Sequence, residues 1–333
     1  MSMNSIPSNK LKRICFSALV ILSSFVLGGC SQSNVSAIGE AEEKNVPLVV
    51  STIFPGYDFA REVGKNRIVD YQLLKPGAES HTYEPTPQDM ILIRECDVFI
   101  YAGGESDTWM EDILADESKP DRIVISMMDC VKAVTEEESE GMREGGVLAG
   151  LLGEEEEEEL DEHVWTSPVN AGIISEKLCD ALCVSSPENA SFYRDNTEDF
   201  QKRLSDIDER YRKMVSDASR NVIVVGDRFP FRYLCDEYGL TYYAAFPGCA
   251  EDAEVTADSL VKLCDIVQTE KIPVVFNIEF SSGKIADSIC ECTGATGREL
   301  HSAHNISAYD LKQGVTYLDI LERNLETLKE ALY

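Results

Sequence analysis

From residue 46 onward the chain alternates two hydrophobic patterns. Short apolar runs of strand type recur: Leu48 to Ile53, then "RIVDYQLL" from Arg67, "DVFIYAG" from Asp97 and "RIVISMMD" from Arg122. Between them lie stretches of helical periodicity. One is "TPQDMILIREC", where Thr86 is the expected N-cap and Asp89 holds the reciprocal position three residues on. Strands alternating with helices predict a largely parallel sheet covered by helices. The pattern breaks at residues 135–162, where a glycine-rich centre lies between acidic runs that include six consecutive glutamates, Glu154 to Glu159. Such a run repels itself and reads as a solvated loop, or as a cation-collecting lure above a metal site.

Periodicity returns in "NAGIISEKLCDALC" and then in a helical stretch from Pro187 to Ser219. At 1.5 Å per residue that stretch could cross from one lobe to another. A second alternating series follows, from "NVIVVG" to a final helix "TYLDILERNLETLKEAL". The predicted fold is therefore α/β: two Rossmann-like lobes with mostly parallel sheets, joined by one long rigid helix. The expected boundaries are 46–186 for the first lobe, 187–219 for the linking helix and 220–333 for the second lobe.

The amino-terminal residues follow another logic. Lys10, Lys12 and Arg13 precede an apolar run from Ile14 to Leu27, then Gly28, Gly29 and Cys30. This is the layout of a secretory leader over residues 1–29, too short to span a bilayer comfortably. "VLGGC" resembles a lipobox, which implies cleavage before Cys30 and lipid on its thiol, with the polar residues 30–45 as a flexible tether. The chain has a formal net charge of −30, and losing the three leader cations would take it to −33. That balance repels nucleic acid and anionic lipid and suits cations. Outside the leader and Cys30 there are nine cysteines, an odd number without a regular framework. Several, such as Cys96, Cys179 and Cys264, sit in apolar contexts and are expected to be buried thiols. Cys290 and Cys292, and Cys179 and Cys183, are expected to pack within helices rather than hold metal.

The chemistry gathers on the four histidines, His81, His163, His301 and His304. Each falls on a loop after a predicted strand or before a helix, where α/β proteins collect ligands. Tyr83 and Phe229 are expected to wall their cleft, and Trp165 to anchor packing. Glycine-rich phosphate loops and nucleophile elbows are absent from the sequence.

Three segments carry a resemblance. "LLKPGAESHTYEPTPQDM" and "DEHVWTSPVNA" resemble the two ligand loops of the metal-binding lipoproteins of bacterial zinc and manganese ABC uptake systems, and "GATGRELHSAHNIS" with "TYLDILERNLETL" resembles their closing segment. The likeness covers residues 46–333. It implies a divalent ion held in the cleft between two lobes and passed to a membrane permease by a lipid-anchored monomer. His81 and His163 match that family's two histidines of the first lobe. At the third ligand place stands Arg228, which cannot bind a metal; Asp227 or a water is expected instead. His301 holds the fourth place, with His304 as its competitor.

Three neutral imidazoles with one carboxylate or a water favour Zn²⁺ over Mn²⁺, which prefers more oxygen donors. Glu79 and Glu279 are expected to steady the imidazoles from behind. A secreted zinc hydrolase or lyase is the alternative. It would need an open coordination position and a base such as Glu279, and no hydrolase spacing supports it.

Overall fold

The strand β1 (Leu48–Ser51) is buried at all four positions, as the centre of a parallel sheet must be when helices cover both its faces. The computed structural model describes residues 35–79, 83–110, 113, 119–136, 139, 142, 159–249 and 255–333. Within them β1 pairs in parallel with β2 (Val69–Gln72) on one side and β3 (Val98–Tyr101) on the other, and β3 pairs with β4 (Ile123–Ser126). A second sheet repeats the plan, with β5 (Val222–Phe229) between β6 (Thr241–Pro247) and β7 (Val274–Asn277), and β8 (Thr296–Glu299) beyond β7. The orders β2-β1-β3-β4 and β6-β5-β7-β8 each reverse direction once, beside β1 and beside β5. Crevices at the carboxyl ends of strands form at such reversals. The two-lobe α/β architecture expected from the sequence is the one observed.

The tether expected over residues 30–45 needs correction. From Val35 to Lys44 the chain is a helix, α1. Its Ala37 and Ala41 are buried with Leu48, Val69 and Leu92 in a cluster on one side of the first sheet. One helical turn separates the two alanines, so a short apolar stripe docks the segment although half of its residues are polar. The leader residues 1–29 and Cys30 lie outside the described residues.

Helix α2 (Phe54–Gly64) follows β1, and α3 (Pro87–Glu95) carries the expected cap. Thr86 Oγ1 accepts from Asp89 N at 3.3 Å, while Asp89 Oδ2 accepts from Thr86 N at 2.8 Å. Helix α4 (Pro168–Ser185) is followed by a single 3-10 turn and then by α5 (Ala190–Asp217), the 28-residue connector. Its buried residues Tyr193, Thr197, Phe200, Leu204, Ile207, Tyr211 and Met214 recur every three or four positions, which defines one apolar stripe. The first half of α5 is tied to the first lobe: Tyr193 Oη donates to Arg67 O at 2.9 Å and Asn196 Nδ2 to Val63 O at 2.9 Å. The second half is tied to the second: Tyr211 Oη donates to Leu321 O at 2.7 Å. A helix gripped at its two ends by different lobes is a strut, and a single buried cluster containing Val49, Ile100, Phe200, Ile223 and Phe276 runs along it.

The second lobe adds α6 (Arg232–Tyr238), α7 (Ala257–Thr269), α8 (Lys284–Thr293), α9 (Ala308–Gln313) and α10 (Tyr317–Leu332). A disulfide joins Cys264 on α7 to Cys292 on α8. Cys264 is thus not the buried thiol expected of it; among the described residues seven other cysteines are free. Most of the acidic loop, including Glu154 to Glu158, lies outside the described residues. Its two ends run antiparallel, with Glu136 N donating to Glu159 O at 2.8 Å and Asp161 N to Val134 O at 2.9 Å. Among the described residues no helix is long and apolar enough to cross a membrane.

Candidate metal centre

His163 ends the ascending arm of the acidic loop and begins the 3-10 turn Val164–Thr166 that leads to α4. Ser167 caps α4 with Pro168 in its first turn, so the "TSP" triplet dictates where the helix starts and stops His163 from joining it. Asp161 turns back on the same residue. Its Oδ1 accepts from His163 N at 2.8 Å and lies 3.1 Å from His163 Nδ1. A proton held on Nδ1 by that carboxylate puts the lone pair on Nε2, the tautomer a metal takes. Both side chains are buried. Burial by itself lowers the imidazole pKa, but the Asp161 charge and hydrogen bond, with Glu162 and Glu136 behind them, outweigh it and the net shift is upward. Burial raises the carboxyl pKa of both Glu162 and Glu136.

The loop after β6 closes over the ring. A Cβ on Gly248 would stand 3.2 Å from His163 Cε1 and 2.8 Å from Phe229 O, so only glycine fits at this approach. Glu136 Oε1 accepts from the next amide, Cys249 N, at 3.0 Å.

The facing imidazole comes from the second lobe, and it is His304. The ring centroids of His163 and His304 lie 5.4 Å apart with planes at 85°, and Trp165 packs 4.9 Å from His304. Both histidines line a cavity of about 30 Å³, bounded also by Glu79, Arg228, Gly248 and Glu279. That is room for an ion or one or two waters. Two imidazoles on a tetrahedral zinc, with Zn–N of about 2.0–2.1 Å, would hold their centroids ~5.2 Å apart. The observed separation fits that chemistry.

His301, expected at this place, is turned elsewhere. Asn324 on α10 clamps its backbone, accepting from His301 N at 2.9 Å and donating to His301 O at 2.7 Å. His301 Nδ1 accepts from Ala303 N at 2.9 Å and lies 3.5 Å from Glu279 Oε1. The chain then reverses through Ala303, whose φ of +61° is left-handed. This carries His304 to the cavity. Its backbone is fixed on both sides, His304 N donating to Ser302 Oγ at 3.2 Å and His304 O accepting from Phe54 N at 3.2 Å. Ser302 is in turn held by Glu279 through its amide at 2.7 Å and its hydroxyl at 2.5 Å, and its carbonyl accepts from Trp165 Nε1 at 3.0 Å.

Asp227 does not reach the cavity either. One carboxylate oxygen accepts from Arg228 N at 2.9 Å and the other from the Ser281 hydroxyl. Arg228 itself lines the cavity and bonds Glu79 across it at 2.8 Å. Glu79 thus meets an arginine, and Glu279 holds a serine. The residue steadying His163 is Asp161, which sequence reasoning passed over although it stands two positions away. Phe229 stacks on Tyr242 at 3.8 Å and Tyr83 meets Trp109 at 5.8 Å; Phe280 walls the cavity instead. Trp165 is the expected anchor.

His81 lies outside the described residues. The loop leading to it is described as far as Glu79, and Asn305 holds it: Asn305 Nδ2 donates to Lys75 O and to Ala78 O, each at 2.8 Å. Asn305 Oδ1 accepts from Gln72 Nε2 at 2.9 Å, so the neighbour of His304 fixes the base of the His81 loop. Among the described residues alone, no group of three His, Cys, Asp or Glu side chains is placed to hold a metal ion.

Residues 49–331 match the sequence model of the family described as zinc-uptake complex component A, periplasmic. The chain belongs to that family. Among the family's similar proteins is the high-affinity zinc uptake system protein ZnuA of Bacillus subtilis, 28% identical over 319 residues, which cover 95% of this chain and 98% of that one. The zinc-binding lipoprotein AdcA of Streptococcus pneumoniae is 28% identical over 283 residues; the match takes in 85% of this chain but only 55% of AdcA. The crystal structure of the Zn(II)-bound ZnuA-like domain of that AdcA superposes with a TM-score of 0.70 at 26% identity, covering 86% of this chain and 99% of the domain. Membership in the zinc-uptake component A family and the two parallel-sheet lobes agree with the resemblance seen in the sequence.

Proposed function

We propose that this chain is the extracytoplasmic solute-binding component of an ABC uptake system, capturing Zn²⁺ and delivering it to the membrane permease. The observation that carries this reading is the pair His163 and His304, which come from different lobes and face each other at zinc-compatible spacing in a cavity sized for an ion. Family membership sets the class of protein. His81, His163 and His304 supply three neutral imidazoles, and water completes a tetrahedral set. This replaces His301 and Asp227 in the ligand set expected from the sequence. Zn²⁺ is preferred to Mn²⁺ because the donors are nitrogen-rich. After cleavage of residues 1–29, lipid on Cys30 would hold a monomer at the membrane, with lobes 46–186 and 220–333 bridged by 187–219.

Support for a hydrolase is lacking. Glu279, the base such a reaction would use, has both oxygens engaged by Ser302. The capture reading predicts one Zn²⁺ per chain, measured by calorimetry at neutral pH and by elemental analysis after dialysis. Absence of both heat and retained zinc would overturn it.

A further inference from the structure

We propose that Arg228 is a fixed charge that weakens the cavity's hold on its cation and speeds release, with Glu79 as the counter-charge that keeps the weakening moderate. The inference rests on the proposed metal site. Arg228 stands at the carboxyl end of β5, just after the register shifts between Val225 and Arg228. Asp227 is pinned by Ser281 and by the Arg228 amide, so the two neighbours part and the guanidinium goes to the cavity that His163 and His304 line. The guanidinium Nη2 donates to Glu79 Oε2 at 2.8 Å; its side chain is 18% exposed, that of Glu79 41%. The cation is therefore the more buried partner and the carboxylate the more solvated one.

That asymmetry has a consequence. Arginine keeps its proton at any physiological pH, so its charge cannot be shed when a divalent ion enters. Away from bulk water, repulsion between the two falls only slowly with distance. Glu79 lies beside both and offsets part of it. Removing Arg228 alone deletes the repulsion and leaves Glu79 to attract the ion. Removing the Glu79 charge alone leaves the guanidinium uncompensated. A protein that must surrender its cargo to a permease gains from such a counterweight.

The test is Zn²⁺ affinity by competition titration, with dissociation followed by stopped flow into a chelator, on the full chain at low and high salt. R228Q should bind roughly tenfold tighter than wild type, mainly through slower release, and E79Q roughly tenfold weaker, the E79Q difference shrinking more than the R228Q difference as salt rises because Glu79 is the more solvated group. R228K keeps the charge and should stay clearly weaker than R228Q, while the double variant should fall between the two single ones. Wild-type zinc binding with R228Q unchanged, or weakened, would overturn the inference and leave the capture function standing. Wild type that binds no zinc would overturn both.

Discussion

In the first lobe, the chain beside the cavity brings a carboxylate and an imidazole locked together, Asp161 and His163. In the second, the chain leaving β5 brings an arginine, and the imidazole arrives only later, on the turn after β8. The strand orders are the same, so topology determines where ligands can gather but not which chemistry arrives there. The first lobe uses a buried carboxylate, Asp161, to orient an imidazole. The second spends Glu279 and Asn324 on holding backbone, and the histidine they deliver owes its position to main-chain hydrogen bonds.

The largest effect expected from this contrast is at His163. His163→Ala should reduce zinc affinity by at least about a hundredfold, because it removes a ligand and leaves Asp161 buried beside a void. Titration calorimetry measures it, and near-wild-type affinity would remove His163 from the site. Next is His304→Ala, expected to cost at least ~10-fold more affinity than His301→Ala. The opposite order would restore His301 as the ligand. Asp161→Asn should cost about 10–100-fold in affinity while leaving stoichiometry at one, since it loosens the tautomer and not the donor count. A change below twofold would mean that the imidazole orients itself.

The smallest effect lies away from the metal. Asp58 on α2 accepts from Tyr317 N at 2.8 Å, and burial lifts its carboxyl to about 7 from the ordinary aspartate value of 3.8. The folded state holds this proton more tightly than the unfolded one, so the group favours folding below pH ~4 and that contribution is lost as pH rises to ~7. Asp58→Asn, which can still accept from Tyr317, should flatten this part of the stability profile. Thermal melts between pH 4 and 8 would show it, and an unchanged slope would count against the shift.

Much of this was legible from residues alone. Alternating apolar runs predicted both sheets, and the Thr86–Asp89 cap and a connecting helix follow from local rules, although the helix expected over 187–219 runs from Ala190 to Asp217 after a 3-10 turn. The sequence singled out His163 by its loop position and by the resemblance of "DEHVWTSPVNA", and Ser167 with Pro168 does start a helix just after it. The misplaced features share one physical cause, which is tertiary contact without a sequence period. Helix α1 docks on two alanines and an isoleucine, a stripe too short to stand out among polar neighbours. The choice between His301 and His304 depends on a left-handed alanine and on Asn324, twenty-three residues away. Asp227 was a sound donor by type, but Ser281 claims it. The partner of Cys264 is twenty-eight residues distant on another helix, a pairing that cysteine count cannot assign.

The most direct measurement is X-ray absorption at the zinc edge on the loaded protein, wild type beside His304→Ala. The account predicts about three imidazole nitrogens near 2.0–2.1 Å in the wild type and the loss of one in the variant. A spectrum that His304→Ala leaves unchanged, or one without imidazole scattering, would contradict it.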